Sequence, residues 1–161
     1  MKARQIHPTT RREGSEGEKT FILVFEKGDE FIREMERFAS EQALTCSRFT
    51  GIGAFESGTL GYFDRSKMAY NEILIQTQVE VLSITGNITL VEGQEGNPLK
   101  VHAHVVLGMP DGSARGGHVL TAHIWPTLEV ILVESPASLD REKDTETGLA
   151  LIRIQTPEWS G

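Results

Sequence analysis

The sequence is poor in three features that would each assign it to a special class of protein. Its 161 residues include a single cysteine, Cys46, which excludes an internal disulfide and leads us to expect a cytoplasmic protein. No apolar run approaches the roughly 18 residues that a membrane span needs, so we expect no membrane association. Positive charge is also scarce, because 16 basic residues stand against 23 acidic ones. The length suits one domain with its own core.

The net charge of −7 has the wrong sign for a surface that works mainly by neutralising phosphates. The N-terminal residues are a local exception, since they gather Lys2, Arg4, Arg11 and Arg12. We interpret residues 1–18 as a flexible polar arm, which is either a solvated tail or the place of a weak contact with DNA.

The periodicity of the chain predicts one helix and many strands. We expect a first strand over residues 20–25, then a helix capped by Asp29, with an apolar stripe that begins at Phe31. Further strands are predicted over residues 49–55, 58–64, 73–75, 79–91, 99–107, 118 onward, 127–133 and 149–154, and a surface loop over 138–148. This pattern indicates an α+β fold: a single compact domain over residues 19–156, with a mainly antiparallel sheet and one principal helix.

Four of the five histidines lie between His102 and His123. His102 and His104 are two residues apart in the predicted strand 99–107. Alternate side chains of a strand share one face about 7 Å apart, so both imidazoles can reach one ion. A turn-rich stretch, residues 108–117, separates them from His118. In an antiparallel hairpin the register can place His118 opposite His104, which would supply a third nitrogen.

Three histidines would form an open site for a divalent transition metal, with a coordination position left for water or a ligand. Imidazole suits zinc, iron, nickel and copper, so the ligands alone do not choose the metal, and we expect zinc. Two alternatives are that the histidines are hydrogen-bonded structural residues, and that a metal there only stabilises the hairpin. His123 follows His118 by five residues, which turns it to the other face of a regular strand, so we do not expect it to be a ligand.

Arg115 and Glu129 are candidate polar partners of such a metal. Glu129 interrupts an apolar run, but it is equally consistent with an outward-facing residue on a half-buried strand. The spacing of neither residue forces it beside the histidines. Catalytic residues are therefore not assigned from the sequence.

Several of these segments together resemble the PPC (plants and prokaryotes conserved) domain family, which is also known as the PD1-like DNA-binding proteins. The similarity runs over residues 19–154. It is carried by the glycine-rich stretch 49–64, the segment 79–88, and the triplets His102-Ala103-His104, Gly116-Gly117-His118 and Leu128-Glu129-Val130.

The resemblance implies a compact α+β domain that forms homotrimers and shares the fold of acetolactate decarboxylase, whose catalytic zinc is bound by a similar pattern of histidines. In prokaryotic members it implies a metal held by residues matching His102, His104 and His118. Plant members lack these histidines and hold DNA through AT-hooks, short Arg-Gly-Arg-Pro segments that this sequence does not contain. The chain therefore resembles the prokaryotic branch.

Two functions follow as hypotheses. The first is a homotrimeric, metal-binding PPC-domain protein that acts as a regulatory or DNA-associated module. The alternative is a metal-dependent enzyme, similar to a decarboxylase or lyase, in which the ion polarises a small carbonyl or carboxylate substrate or activates water. The expected partners are other copies of the chain, DNA, and a small molecule at the metal.

Overall fold

The computed structural model describes residues 1–6, 17–93 and 98–154. Within these ranges the chain forms nine strands and one helix. They are β1 (Lys2–Ile6), β2 (Lys19–Glu26), α1 (Phe31–Glu41), β3 (Cys46–Asp64), β4 (Ala69–Ile75), β5 (Val79–Val91), β6 (Leu99–Gly108), β7 (Ala114–Glu134), β8 (Asp140–Lys143) and β9 (Ala150–Ile152). The predicted α+β class, with a mainly antiparallel sheet and one helix, is confirmed.

The helix forms where the sequence predicts it, although its cap is a different residue. Glu30 is the N-cap, and its carboxylate accepts hydrogen bonds from the backbone N–H groups of Ile32 and Arg33. Asp29, the predicted cap, lies one residue too early and accepts instead from the N–H of Glu26. The apolar stripe packs α1 against β6 and β7, and its buried members are Phe31, Met35, Phe38 and Ala39.

All nine strands belong to one sheet, and four of them close into a ring. β3 pairs with one edge of β5 and with one edge of β7. β6 pairs with the other edge of each of these two strands, which closes the ring. β7 can take part in so many pairs because it runs from Ala114 to Glu134: its start lies against β6, and most of its length lies against β3 and β2. The ring brings the first residues of β7, Ala114 to His118, beside β6.

Two pairs of predicted strands are each one continuous strand in the structure. The segments 49–55 and 58–64 both lie in β3, whose pairing with β5 shifts register between Gly51 and Gly53. Glycine is needed at Gly51, because a Cβ there would lie 2.5 Å from the carbonyl oxygen of Glu129. Likewise β7 continues through Pro126, where its pairing with β3 also shifts register, as a proline in a central strand requires.

The two ends of the domain depart from the sequence predictions. Residues 2–6 are not loose, because they form β1, which pairs antiparallel with β2. Residues 7–16, including Arg11 and Arg12, lie outside the described residues, so the boundary between an arm and a domain over 19–156 stays a proposal. The predicted surface loop 138–148 contains β8, which pairs in parallel with β5. Among the described residues, no helix is long and apolar enough to cross a membrane.

Candidate metal centre

The hairpin of β6 and β7 sets the positions of the three histidines. Alternation along β6 buries every other side chain from Leu99 to Leu107 in the core and turns His102 and His104 to the opposite face. The turn between the strands contains Gly112 at φ +81°, a conformation that favours glycine. Its length fixes the register so that His104 pairs with His118, as the sequence predicts.

The three imidazoles converge. Each offers a nitrogen that lies within 4.8 Å of a nitrogen on the other two rings. The Nε2 atoms of His102 and His104 are 3.1 Å apart. Two nitrogens bound to one tetrahedral zinc at about 2.0–2.1 Å are separated by about 3.3 Å, so this pair already has the spacing of ligands. The nitrogen that His118 offers would be the third ligand.

The electrostatics of the cluster keep two of the rings neutral. Burial lowers the pKa of His102 to about 4, helped by the nearby charge of Arg141. Burial also lowers the pKa of His118 to about 4, with further contributions from His102 and His104. Neutral imidazole is the form that ligates metals, so both rings are ready to bind an ion at neutral pH without first losing a proton.

Tyr70 on β4 holds His118 in place. The two rings stack with centroids 5.0 Å apart and an interplanar angle of 20°. Tyr70 reaches His118 by crossing over Gly61, the residue of β3 that pairs with His118. A Cβ on Gly61 would lie 2.6 Å from the Tyr70 ring, so the absence of a side chain at Gly61 makes this stacking possible.

Arg141 on β8 holds His102 from the other side, and it is only 4% exposed. Its Nε donates to Thr89 Oγ1 at 2.7 Å, Nη1 to the carbonyl oxygen of Ala150 at 2.7 Å, and Nη2 to Asn87 Oδ1 at 2.8 Å and His102 Nδ1 at 3.2 Å. A guanidinium can only donate, so Nδ1 accepts and the ring proton lies on Nε2, between His102 and His104. A metal at Nε2 would require the other neutral tautomer, whose proton lies on Nδ1, so the hydrogen bond from Arg141 to Nδ1 would be lost.

The residues present fit a transition metal. Nδ1 of His118 is buried and has no hydrogen-bond partner among the described residues, an unusual state for a core imidazole. Three imidazole nitrogen donors are the ligand set of an open zinc or related site, in which a fourth position stays available. A structural explanation by mutual hydrogen bonds accounts for His102 and His104 but leaves His118 unexplained.

A cavity of about 320 Å³ lies against the histidines. Its lining residues are Tyr70, Val91, Lys100, His102, His118, Arg141, Gly148, Leu149, Ala150 and Leu151. The far wall is therefore made by β9 and the residues before it. No pattern in the sequence indicated Tyr70 or Arg141 as site residues, because neither lies near the histidines in the chain.

The other candidate residues lie elsewhere. Glu129 pairs with Ile52 and lines a separate cleft, so it is not the carboxylate beside the histidines that we considered. Arg115 is exposed opposite Leu107 and does not line the cavity. His123 pairs with Ser57 and lies outside the cluster. Cys46 is partly buried, and burial together with the Glu134 carboxylate raises the pKa of its thiol.

The chain is similar to several solved structures. A plant- and prokaryote-conserved (PPC) protein from Pyrococcus horikoshii is 29% identical, with a TM-score of 0.77 over 86% of this chain and 93% of that one. A metal-containing protein from Archaeoglobus fulgidus is also 29% identical, with a TM-score of 0.76 over 90% of this chain and 100% of that one.

A third structure, from Bacteroides thetaiotaomicron, is named as a candidate DNA-binding protein. It is 21% identical, with a TM-score of 0.79 over 96% of this chain and 99% of that one, and this likeness shows the fold alone. No functionally curated protein matches the chain. Residues 12–136 match the sequence profile of the Plants and Prokaryotes Conserved domain, abbreviated PCC or PPC, and the chain belongs to this family.

Proposed function

We propose that this protein binds one divalent transition metal per chain, most readily zinc, through His102, His104 and His118. The convergence of three imidazole nitrogens within 4.8 Å carries the proposal. The low pKa of His102 and His118 and the unpartnered Nδ1 of His118 support it. So does the similarity to a metal-containing protein from Archaeoglobus fulgidus.

The bound metal acts, in this proposal, within a homotrimeric, cytoplasmic PPC-domain protein. Support for self-association comes from an aliphatic band on the sheet face opposite α1, on five strands that are neighbours in the sheet. Its members are Ile22, Ile52, Leu82, Val106 and Ile131, each between 38% and 62% exposed. Exposed aliphatic side chains on neighbouring strands are typical of an interface, so a second and third copy of the chain would remove them from water. Light scattering that gives the mass of one chain would contradict the trimer.

We propose a regulatory or DNA-associated role for the trimer rather than a general DNA-coating one. Lys2 and Arg4 are the basic residues of β1, and Lys2 would have to exchange its ion pair with Glu26 for a phosphate contact. The net charge of −7 opposes strong binding, so we expect weak association that falls steeply with salt. Fluorescence anisotropy with duplex DNA, for the full chain and for Lys2→Ala/Arg4→Ala, measures this. Tight binding that persists in the variant at physiological salt would show that another surface reads DNA.

The metal site is tested by elemental analysis of the purified protein. We expect about one zinc or related ion per chain, most of which is lost when His102, His104 or His118 is replaced by alanine. His123→Ala is the matched control, since His123 lies on β7 outside the cluster, and it should keep its metal. Full retention by His104→Ala would contradict the proposal. Melting with and without a chelator then shows how far the ion stabilises the fold.

The cavity beside the histidines favours a second candidate function, a metal-dependent enzyme acting on a small carbonyl or carboxylate compound. A metal in this site would supply Lewis acidity to a substrate oxygen. Tyr70 and Lys100 face the same cavity and could orient the substrate. The fold of acetolactate decarboxylase, which the sequence resemblance implies, belongs to this alternative. Release of CO₂ from a panel of 2-oxo and 2-hydroxy acids, absent in His104→Ala, is the result that would favour it.

A further inference from the structure

The cavity beside the histidines differs from the rest of the molecule in its charge. The chain carries 23 acidic and 16 basic residues, yet the described residues that line this cavity include two cations, Lys100 and Arg141, and no carboxylate. By contrast, a larger cleft nearby is lined by Glu92, Asp140 and Arg153. The cavity is therefore a locally positive site on an acidic protein, before any metal is added.

The two cations differ in whether they have a donor group free to bind a ligand. Arg141 is buried and already donates to four acceptors, so it contributes its charge and not a free donor group. Lys100 is exposed, and its ammonium forms no hydrogen bond or ion pair with the described part of the chain, although its charge acts on the Glu36 carboxylate of α1 as well as on His102 and His118. It precedes His102 by two residues on β6, so its side chain lies on the same face as the histidines. One flexible cation is thus available beside the metal-binding rings.

Another part of the cavity wall is apolar. Val91, Leu149 and Leu151 line it, and the volume of about 320 Å³ is enough for about ten water molecules. A fully polar dianion such as phosphate would leave this wall unused. One free cation and an aliphatic wall together match a monoanion with a short aliphatic tail.

We infer that this cavity binds a small aliphatic carboxylate, whose charged group lies between Lys100 and the open position of the metal and whose tail contacts Val91, Leu149 and Leu151. The inference rests on the proposed metal site for one of the two contacts of the carboxylate. It rests on Lys100 for the other contact of the carboxylate and on the aliphatic wall for the contacts of the tail. It therefore names the ligand class of that site.

Calorimetric titration of the zinc-loaded protein tests the inference, with acetate, butanoate and butanamide as probes. Butanoate should bind more tightly than acetate, by up to about fourfold for each methylene that the wall buries. Butanamide, which has the same shape without the charge, should bind at least about tenfold more weakly than butanoate. Equal affinity for acetate and butanoate, or for butanoate and butanamide, would overturn the inference.

Lys100→Met should weaken butanoate binding at least about tenfold, because it keeps the length of the side chain and removes the charge. Lys27→Met is the matched control: Lys27 is exposed in the turn between β2 and α1, and its replacement should leave the affinity unchanged. Circular dichroism and metal content establish that both variants are folded and loaded. Unchanged affinity in Lys100→Met would also overturn the inference.

The same titration on the metal-free protein separates this inference from the metal proposal. We expect weaker butanoate binding that still depends on Lys100. A protein that takes up metal but binds no butanoate refutes the carboxylate site alone. A protein that takes up no metal yet binds butanoate in a Lys100-dependent way refutes the metal proposal and supports the carboxylate site.

Discussion

The two faces of strand β6 are made by alternate residues of one ten-residue segment, and they are held by different forces. The inner face buries Leu99, Val101, Ala103, Val105 and Leu107 beneath α1. The outer face carries Lys100, His102, His104 and Val106, which are half-buried or exposed. Burial of apolar area stabilises the first face, whereas on the second face a hydrogen bond from Arg141 of β8 positions His102. The inner face therefore determines whether the chain folds, and the outer face what the folded chain can bind.

The largest effect on stability is expected when a buried side chain is removed from the inner face. Leu107→Ala removes a fully buried side chain and should lower the free energy of unfolding by about 2–5 kcal/mol, through lost burial and a residual cavity. Urea denaturation measures this. Lys100→Ala, on the outer face of the same strand, should change stability by less than about 1 kcal/mol, because Lys100 is exposed and lies outside the aliphatic band. Equal losses in both variants would remove the distinction between the faces.

Replacing Arg141 should lower the stability of the fold and raise the affinity for metal. Arg141→Met leaves Asn87, Thr89 and the Ala150 carbonyl without their buried donor, and we expect a loss of about 1–3 kcal/mol in unfolding free energy. Metal affinity should instead rise severalfold, since a positive charge near the ion is removed and His102 Nδ1 is released. Denaturation and a competitive chelator titration measure the two quantities. A fall in metal affinity would show that Arg141 is needed to orient His102.

The outer face should also make the metal-free protein sensitive to acid. In the folded chain His102 and His118 have a pKa of about 4, below the ordinary 6.5, because burial disfavours the charged ring. Between these values the unfolded chain binds protons that the folded chain does not, so stability falls as the pH drops from 6.5 toward about 4 and levels off below. Denaturation at a series of pH values measures this slope. The double variant His102→Gln/His118→Gln should show a smaller slope, and an unchanged one would mean that other groups cause it.

The smallest effect on stability is expected at Gly61, where a side chain would act on the metal site through the Tyr70 ring that stacks on His118. Gly61→Ala would press a methyl group against the Tyr70 ring and displace it from its stack on His118. We expect stability to change by less than about 1 kcal/mol, since the gain from replacing glycine offsets part of the strain. Metal affinity should fall severalfold, and the NMR signals of the His118 ring should shift. Gly17→Ala, where a Cβ meets nothing within 4 Å, is the control.

Local pattern in the sequence determined the helix, most of the strands and the histidine hairpin. The stripe of α1 repeats with the helical period, and alternate residues of β6 are apolar, so each segment specifies which face is buried without reference to distant residues. The turn between His104 and His118 is short enough for its composition to predict the register that the structure confirms. That is why three residues of the candidate site could be found from spacing alone.

Only the tertiary structure decided what surrounds those three histidines. Tyr70 and Arg141 reach them from β4 and β8, strands that lie far from β6 in the chain, and β9 forms the wall of the cavity. Arg141 falls in a polar stretch that gives no periodic signal, because two short strands at the edge of a sheet have too few residues to show alternation. Nor could spacing exclude Glu129, since its place depends on the pairing of β7 with β3. Sequence spacing specifies neighbours along a strand or across a tight turn, whereas contacts between distant segments depend on how the whole sheet closes.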